Sequence, residues 1–201
     1  MQITLTNYTF EIPTDQHVLV YANYRTGSTA LCDLLSQRTG MTNLDEAFHL
    51  VNQYTDFSTE LAKPCIIKIM PDQSIPTQYR SLLANATAIG IYRRDLILQA
   101  ISYALAMKTH VWHQQNGKLK QPPLFDFRPN ELMIYADKLA HIHRVHRKRR
   151  DRMLIELQYE KLVPDLNESS YEEMPKAVEY DNYIANLRTA LERENKRPHN
   201  E

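Results

Sequence analysis

His17-Val18-Leu19-Val20-Tyr21-Ala22 runs into Asn23-Tyr24-Arg25-Thr26-Gly27-Ser28-Thr29, and the chain continues Ala30-Leu31-Cys32. A short run rich in β-branched and aromatic side chains predicts a buried strand. The Gly-Ser-Thr beyond it, with apolar residues at helical spacing, predicts a tight turn opening a helix over Ser28 to Arg38. Such a turn presents free backbone N–H groups to an anion, and the helix N-terminus adds about half a positive charge. Arg25 supplies a cation there, and Ser28 and Thr29 supply hydroxyl donors. Charge-assisted hydrogen bonds of this kind contribute roughly 1.5–3 kcal/mol each, enough together to hold a phosphate. The loop differs from the ATP-binding GxxxxGK(S/T) pattern, because no Lys follows Gly27. The plain alternative is an ordinary strand–helix turn with Ser28 as the helix cap.

The same pattern repeats outward from this unit. Cys65 to Met70, Thr87 to Tyr92 and Met153 to Leu157 read as further buried strands. Ser28 to Arg38, Ile75 to Leu83, Asp95 to Lys108 and Asn130 to Arg149 read as helices. Strands alternating with helices predict βαβ units and a mostly parallel sheet. Sheets of that kind bind ligands at the carboxyl ends of their strands, which here means just after Ala22, Met70 and Tyr92. Ile3 to Ile12 reads as a hairpin or edge strand within residues 1–16, residues 110–129 as a long loop, and residues 166–201 as a polar tail with a helix over Tyr180 to Glu194. One domain over residues 1–201 is expected.

Composition narrows the function classes. The 201 residues are 43% hydrophobic and 24% charged, an ordinary globular balance. A chain of this length buries roughly 70% of its unfolded surface and needs no covalent staples. Its two cysteines, Cys32 and Cys65, form no framework and no CxxC pair, so a reducing compartment is expected. No apolar run approaches the ~20 residues of a membrane span, and the N-terminus lacks the basic and apolar segments of a signal peptide, so a cytoplasmic location is expected. Lys plus Arg total 24 and Asp plus Glu total 24, a balance that argues against nucleic acid as partner. Nothing in the sequence signals an oligomeric state.

A second group of residues fits an anion as well. The strand Thr87 to Tyr92 ends in Arg93-Arg94-Asp95, and Ser102 lies eight residues beyond Arg94. Asp95 is the expected cap of the following helix. Asp95, Gln99 and Ser102 then fall on one helical face, over which a long Arg side chain can fold to meet the Ser hydroxyl. The alternative is a surface Arg and a Ser bonded to its own backbone.

The ordered pair of motifs resembles the sulfotransferases that use 3′-phosphoadenosine 5′-phosphosulfate (PAPS). Arg25 through Thr29 is similar to that family's 5′-phosphosulfate loop, and Arg94 with Ser102 to its 3′-phosphate signature. Gln99-Ala100-Ile101-Ser102 through Ala106, Thr109 and Trp112 resembles the compact bacterial enzymes that modify sugars, and Tyr159-Glu160-Lys161-Leu162-Val163 resembles a recurrent YExL element of the family. The resemblance covers most of residues 17 to 163 and implies a P-loop-like three-layer α/β/α fold. It implies PAPS as sulfuryl donor, no metal, and a hydroxyl or amine acceptor, expected to be a carbohydrate. It further implies that Arg25 grips the 5′-phosphate and the sulfuryl group, with the backbone of Thr26, Gly27, Ser28 and Thr29 around it.

The same resemblance nominates the proton acceptor. Animal members end a strand in Lys-Thr-His, where the His is the base; here Lys68-Ile69-Met70 keeps the Lys, and a thioether takes no proton. Compact bacterial members carry a Glu before an aromatic pair, and the matching stretch is Leu44-Asp45-Glu46-Ala47-Phe48-His49. Glu46 is therefore the expected general base, with His49 second because imidazole titrates near ~6.5. Lys68, inside an apolar run, needs an anion to meet and is expected to oppose charge on the leaving bisphosphate. The Arg-Lys-Gly element that closes over the 3′-phosphate in animal members is missing near the C-terminus.

Other features carry less. His141, His143 and His146 share a helical stripe and read as core-edge residues rather than metal ligands. The basic run Arg144 to Arg152 reads as a solvated helix end, with a polyanionic acceptor as the alternative. His110, Trp112 and His113 are placed to line an acceptor pocket. Two rival functions remain: a P-loop nucleotide kinase or other phosphotransferase, and a non-catalytic module that binds adenosine bisphosphate or an anionic glycan.

Overall fold

A computed structural model of the chain describes residues 1–49, 52, 55–109, 129–148 and 150–166. It opens with an antiparallel hairpin, β1 (Gln2–Leu5) and β2 (Tyr8–Glu11). The decisive strand follows as β3 (Val18–Ala22), and the loop after it leads into α1 (Ser28–Thr39). The remaining strands are β4 (Thr42–Asn43), β5 (Cys65–Ile69), β6 (Thr87–Tyr92) and β7 (Ile155–Gln158). The remaining helices are α2 (Leu96–Thr109), α3 (Pro129–Arg147) and α4 (Tyr159–Leu166). The central sheet has the order β4-β5-β3-β6-β7, and every pairing in it is parallel. The chain thus leaves β3 to build one side of the sheet, then crosses to build the other. The carboxyl end of β3 lies at that crossing, where open α/β sheets take their ligands.

Both faces of the sheet are covered, as parallel sheets require. Val18, Val20, Ile66, Ile89 and Ile91 pack with Leu31, Leu34 and Leu35 of α1 and with Ile3 and Leu5 of the hairpin. The alternate residues Leu19, Ile67 and Ile69 face Phe48, Leu61, Tyr79 and Leu83. Full burial of each such side chain contributes roughly 1.5–3 kcal/mol. A third cluster, Ala100, Tyr103, Ala136 and Leu139, joins α2 to α3 and reaches Tyr24 in the loop after β3.

The expected α/β architecture holds, with local corrections. The hairpin forms its own sheet instead of adding an edge to the central one. Residues 75–83 form only a short 3-10 turn, Thr77–Tyr79, because Pro76 limits the preceding backbone and the segment is too short to nucleate a helix alone. The last strand starts two residues later than its apolar run. Gly27 and not Ser28 stands at the cap of α1, with φ of 73° and no side-chain cap. Asp95 caps α2 as expected, its Oδ1 accepting the N–H groups of Ile97 at 3.1 Å and Leu98 at 3.0 Å. Residues 110–128 of the expected loop and the expected helix Tyr180 to Glu194 lie outside the described residues.

Candidate functional site

The loop after β3 is held in an unusual backbone shape. Arg25 and Gly27 both sit in the left-handed region, with φ of 60° and 73°. Inside the loop, the Thr26 hydroxyl donates to the Asn23 carbonyl at 2.8 Å, and the Tyr24 N–H donates to Asn23 Oδ1 at 2.7 Å. From outside, the fully buried Gln99 donates its amide to the Tyr24 carbonyl at 2.5 Å. Gln99 Oε1 is then left to accept from His143 Nε2 of α3, 3.1 Å away. Tyr159 covers the other side of the loop: a Cβ on Gly27 would lie 2.7 Å from its ring.

Beside this loop lies an ion cluster around a buried lysine, and it follows from strand register. Asn43 of β4 pairs with Ile66 of β5, so Asp45, two residues on, falls beside Lys68. Asp45 takes φ of 46°, and its carbonyl accepts the Lys68 N–H at 2.8 Å. Lys68 is 1% exposed, and its Nζ lies 2.6 Å from Asp45 Oδ1 and 3.0 Å from Glu46 Oε1. It also donates to the Thr29 hydroxyl of α1 at 2.7 Å. Burial alone would push the Lys68 ammonium down; the charges of Asp45 and Glu46 more than reverse that, and its pKa stands above the ordinary lysine value. The second oxygen of Glu46 accepts from Gln73 Nε2 at 3.0 Å, and Gln73 Oε1 accepts the Met70 N–H at 3.1 Å. Glu46 is thereby oriented from two sides at the carboxyl end of β5. His49 lies one turn on, its N–H donating to the Glu46 carbonyl at 3.0 Å.

A third group sits at the carboxyl end of β6. Arg25 Nε donates to Ser102 Oγ of α2 at 2.9 Å, across 77 positions of sequence. Burial and the nearby charge of Arg93 disfavour the charged form of Arg25, whose pKa is lowered yet remains that of a permanent cation. Arg93 is 8% exposed and lies over the Tyr159 ring, its guanidinium carbon 4.6 Å from the centroid. Arg94 is exposed, and its backbone N–H donates to Glu160 at 3.0 Å. The same Glu160 carboxylate accepts the Asp95 N–H at 3.0 Å. Burial would raise the Glu160 pKa, but these backbone donors and the Gln158 amide hold it below the ordinary value.

The structure therefore brings Arg25, Thr26, Gly27, Ser28, Thr29, Ser102, Lys68 and Glu46 to the carboxyl ends of adjacent strands. Arg94 stands at the expected strand end, but the side chain that reaches Ser102 is that of Arg25. Sequence reasoning missed Asp45, Gln73, Arg93, Tyr159 and Gln99 as parts of this arrangement. Asp45 and Gln73 were readable in principle from the strand register and the need of a buried lysine for anions. Tyr24 also belongs here: burial, a hydrogen bond to Asp72 and the charges of Asp72 and Glu46 push its phenol well above the ordinary value. The described part of the basic run lies elsewhere. Arg150 pairs with Glu156 at 2.8 Å, and Arg152 lines an open depression of about 520 Å³ with Glu11 and Thr87, at the amino ends of the strands. Among the described residues no group of three or more His, Cys, Asp or Glu is placed to hold a metal ion, and no helix is long and apolar enough to cross a membrane.

No family model and no curated protein matches the chain. Among solved structures, an unliganded sugar kinase from a Janibacter species superposes with a TM-score of 0.29 at 12% identity, covering 65% of this chain and 98% of the kinase. A mouse sulfotransferase complexed with PAP superposes with a TM-score of 0.39 at 11% identity, covering 90% of this chain and 65% of that one. Neither likeness carries a residue's role or a reaction to this chain, whose fold stands on its own strand order.

Proposed function

We propose that this protein is a sulfotransferase that moves a sulfuryl group from PAPS to a hydroxyl or amine of an acceptor, with a carbohydrate as the expected class. The observation that carries this reading is the meeting of Arg25 and Ser102 at 2.9 Å. These residues were nominated separately, from a loop motif and a strand–helix motif, for the two phosphate-bearing ends of one nucleotide. Two buried donors beside them, Asn23 Nδ2 and Arg93 Nε, have no hydrogen-bond partner among the described residues, which fits a polyanionic ligand.

PAPS, when bound, supplies a sulfur centre open to in-line attack and a bisphosphate leaving group. The chain's own residues provide the rest. Glu46 accepts the proton of the attacking acceptor hydroxyl, leaving the oxygen electron pair free to form the new S–O bond. Gln73 and Lys68 hold its carboxylate in one orientation, so little reorganisation accompanies proton transfer. Lys68 acts through Thr29: by donating to Oγ1, it leaves the hydroxyl proton of Thr29 to point at the departing phosphate oxygen. Arg25 and the loop N–H groups oppose the charge that builds on that oxygen as its bond to sulfur breaks.

Calorimetric titration with 3′,5′-adenosine bisphosphate beside ATP with magnesium tests the nucleotide, and transfer from labelled PAPS to a panel of sugars tests the reaction. The expected result is micromolar bisphosphate binding and no binding of ATP with magnesium. The reverse pattern would overturn the reading in favour of a kinase. Glu46→Gln should lower turnover by roughly 10²- to 10⁴-fold while bisphosphate affinity stays within about threefold. Binding without any wild-type turnover across the panel would mark a nucleotide-binding module instead.

A further inference from the structure

Arg93 is given no contact of its own in the reading above, yet its guanidinium is buried with one donor unmatched. It is 8% exposed, and its Nε has no hydrogen-bond partner among the described residues. A permanently charged guanidinium is seldom buried without a partner for each donor. The Tyr159 ring beneath it, at 4.6 Å, offers a cation–π platform but accepts no in-plane N–H bond. That same ring packs on Gly27, so Arg93 is seated against the anion loop itself. Asn23 Nδ2, at the end of the neighbouring strand β3, is a second buried donor left unpaired. The backbone donors that an anion would otherwise use at the end of β6 are taken: Glu160 accepts the N–H groups of both Arg94 and Asp95. An anion arriving there must be met by side chains.

We propose that Arg93, rather than Arg94, is the guanidinium that receives a phosphate group at the carboxyl end of β6, in a seat shared with Arg25 and Ser102. On the proposed function, this group is the second phosphate of the nucleotide. Glu160 serves the seat indirectly, by satisfying the strand-end N–H groups and turning the Arg94 backbone away. Arg25 then exchanges part of its bond to Ser102 for the phosphate, and Arg93 Nε gains the partner it lacks. The mutual repulsion of the two arginines, which already disfavours the charge on Arg25, is relieved by the incoming dianion.

The test is calorimetric titration of the wild type, Arg93→Gln and Arg94→Gln with 3′,5′-adenosine bisphosphate and, separately, with inorganic phosphate. Arg93→Gln should weaken the bisphosphate at least tenfold, and Arg94→Gln less than threefold. The opposite ranking, with tight wild-type binding, would overturn the role of Arg93 and leave the proposed function standing. Phosphate binding that depends on Arg93, with no bisphosphate binding, would support the seat and remove the proposed function. Absence of both ligands from the wild type would remove both. Should Arg93→Gln fail to fold, the Arg93 Nε–H resonance of the wild type, identified by its loss in Arg93→Lys, decides the matter. It should shift and exchange more slowly with water on addition of the bisphosphate, and an unmoved resonance would overturn the inference.

Discussion

Gly27 shows how tightly single residues define the loop. Its φ of 73° is open to glycine, whereas an L side chain there costs roughly 1–2 kcal/mol. A Cβ would also lie 2.7 Å from Tyr159 Cε2 and 3.1 Å from Leu166 Cδ1. Tyr159 has little room to retreat, since it is itself packed between the loop and Arg93. Overpacking of this sort costs about 1–3 kcal/mol more. Gly27→Ala should therefore lower the unfolding free energy by roughly 2–5 kcal/mol, read from urea midpoints at unchanged slope. Adding Tyr159→Leu to it should return the steric share and leave the backbone share. Strict additivity of the two substitutions would show that the ring does not press on the loop.

At the scale of elements, the loop is positioned by helices far from it in sequence. Gln99 of α2 is the joint: it donates to the Tyr24 carbonyl at 2.5 Å and accepts from His143 of α3 at 3.1 Å. Gln99→Leu deletes both of these part-buried bonds, at about 1–3 kcal/mol for each. The variant should lose roughly 2–6 kcal/mol of stability and also bind the bisphosphate several-fold more weakly, because Arg25 follows the Tyr24 carbonyl. His143→Phe keeps the bond to Tyr24 and should leave affinity nearly unchanged. A Gln99→Leu protein with affinity within twofold of wild type would show that the joint stabilises the fold without positioning the loop. None of this coupling was legible in the sequence, although the elements were. Thr87 to Tyr92 and the Asp95 cap are local signals, strong enough to survive packing. The 3-10 turn at Thr77–Tyr79 and the detached hairpin are outcomes of packing, in which Tyr79 spends its hydroxyl on the Phe57 N–H and Asp56. The site divides the same way. Residue types at fixed spacing nominate Arg25 and Ser102, and the family resemblance nominates Lys68 and Glu46, whereas Arg93 and Gln99 stand out through burial, which spacing alone does not encode.

At the scale of the molecule, α4 is the strap that joins hairpin, sheet and site. Asp165 near its end accepts the Thr6 N–H at 2.9 Å and the Thr6 hydroxyl at 3.0 Å, tying it to the hairpin. Glu160 in its first turn closes the β6–α2 junction. The sign of the acid response follows from Glu160. Its folded pKa lies below the ordinary glutamate value of 4.5, so the folded state binds this proton less readily than the unfolded chain. Its contribution is present above pH 4.5 and is lost as pH falls through the lower, folded value. Glu160→Gln retains an acceptor oxygen but has nothing to titrate. The two proteins differ by one titratable group, so general acid repulsion builds almost identically in both. Urea midpoints measured from pH 6 down to pH 3 should thus fall more steeply in the wild type, and the two curves should converge at the acid end. Parallel curves would mean that the strap is held without the charge of Glu160.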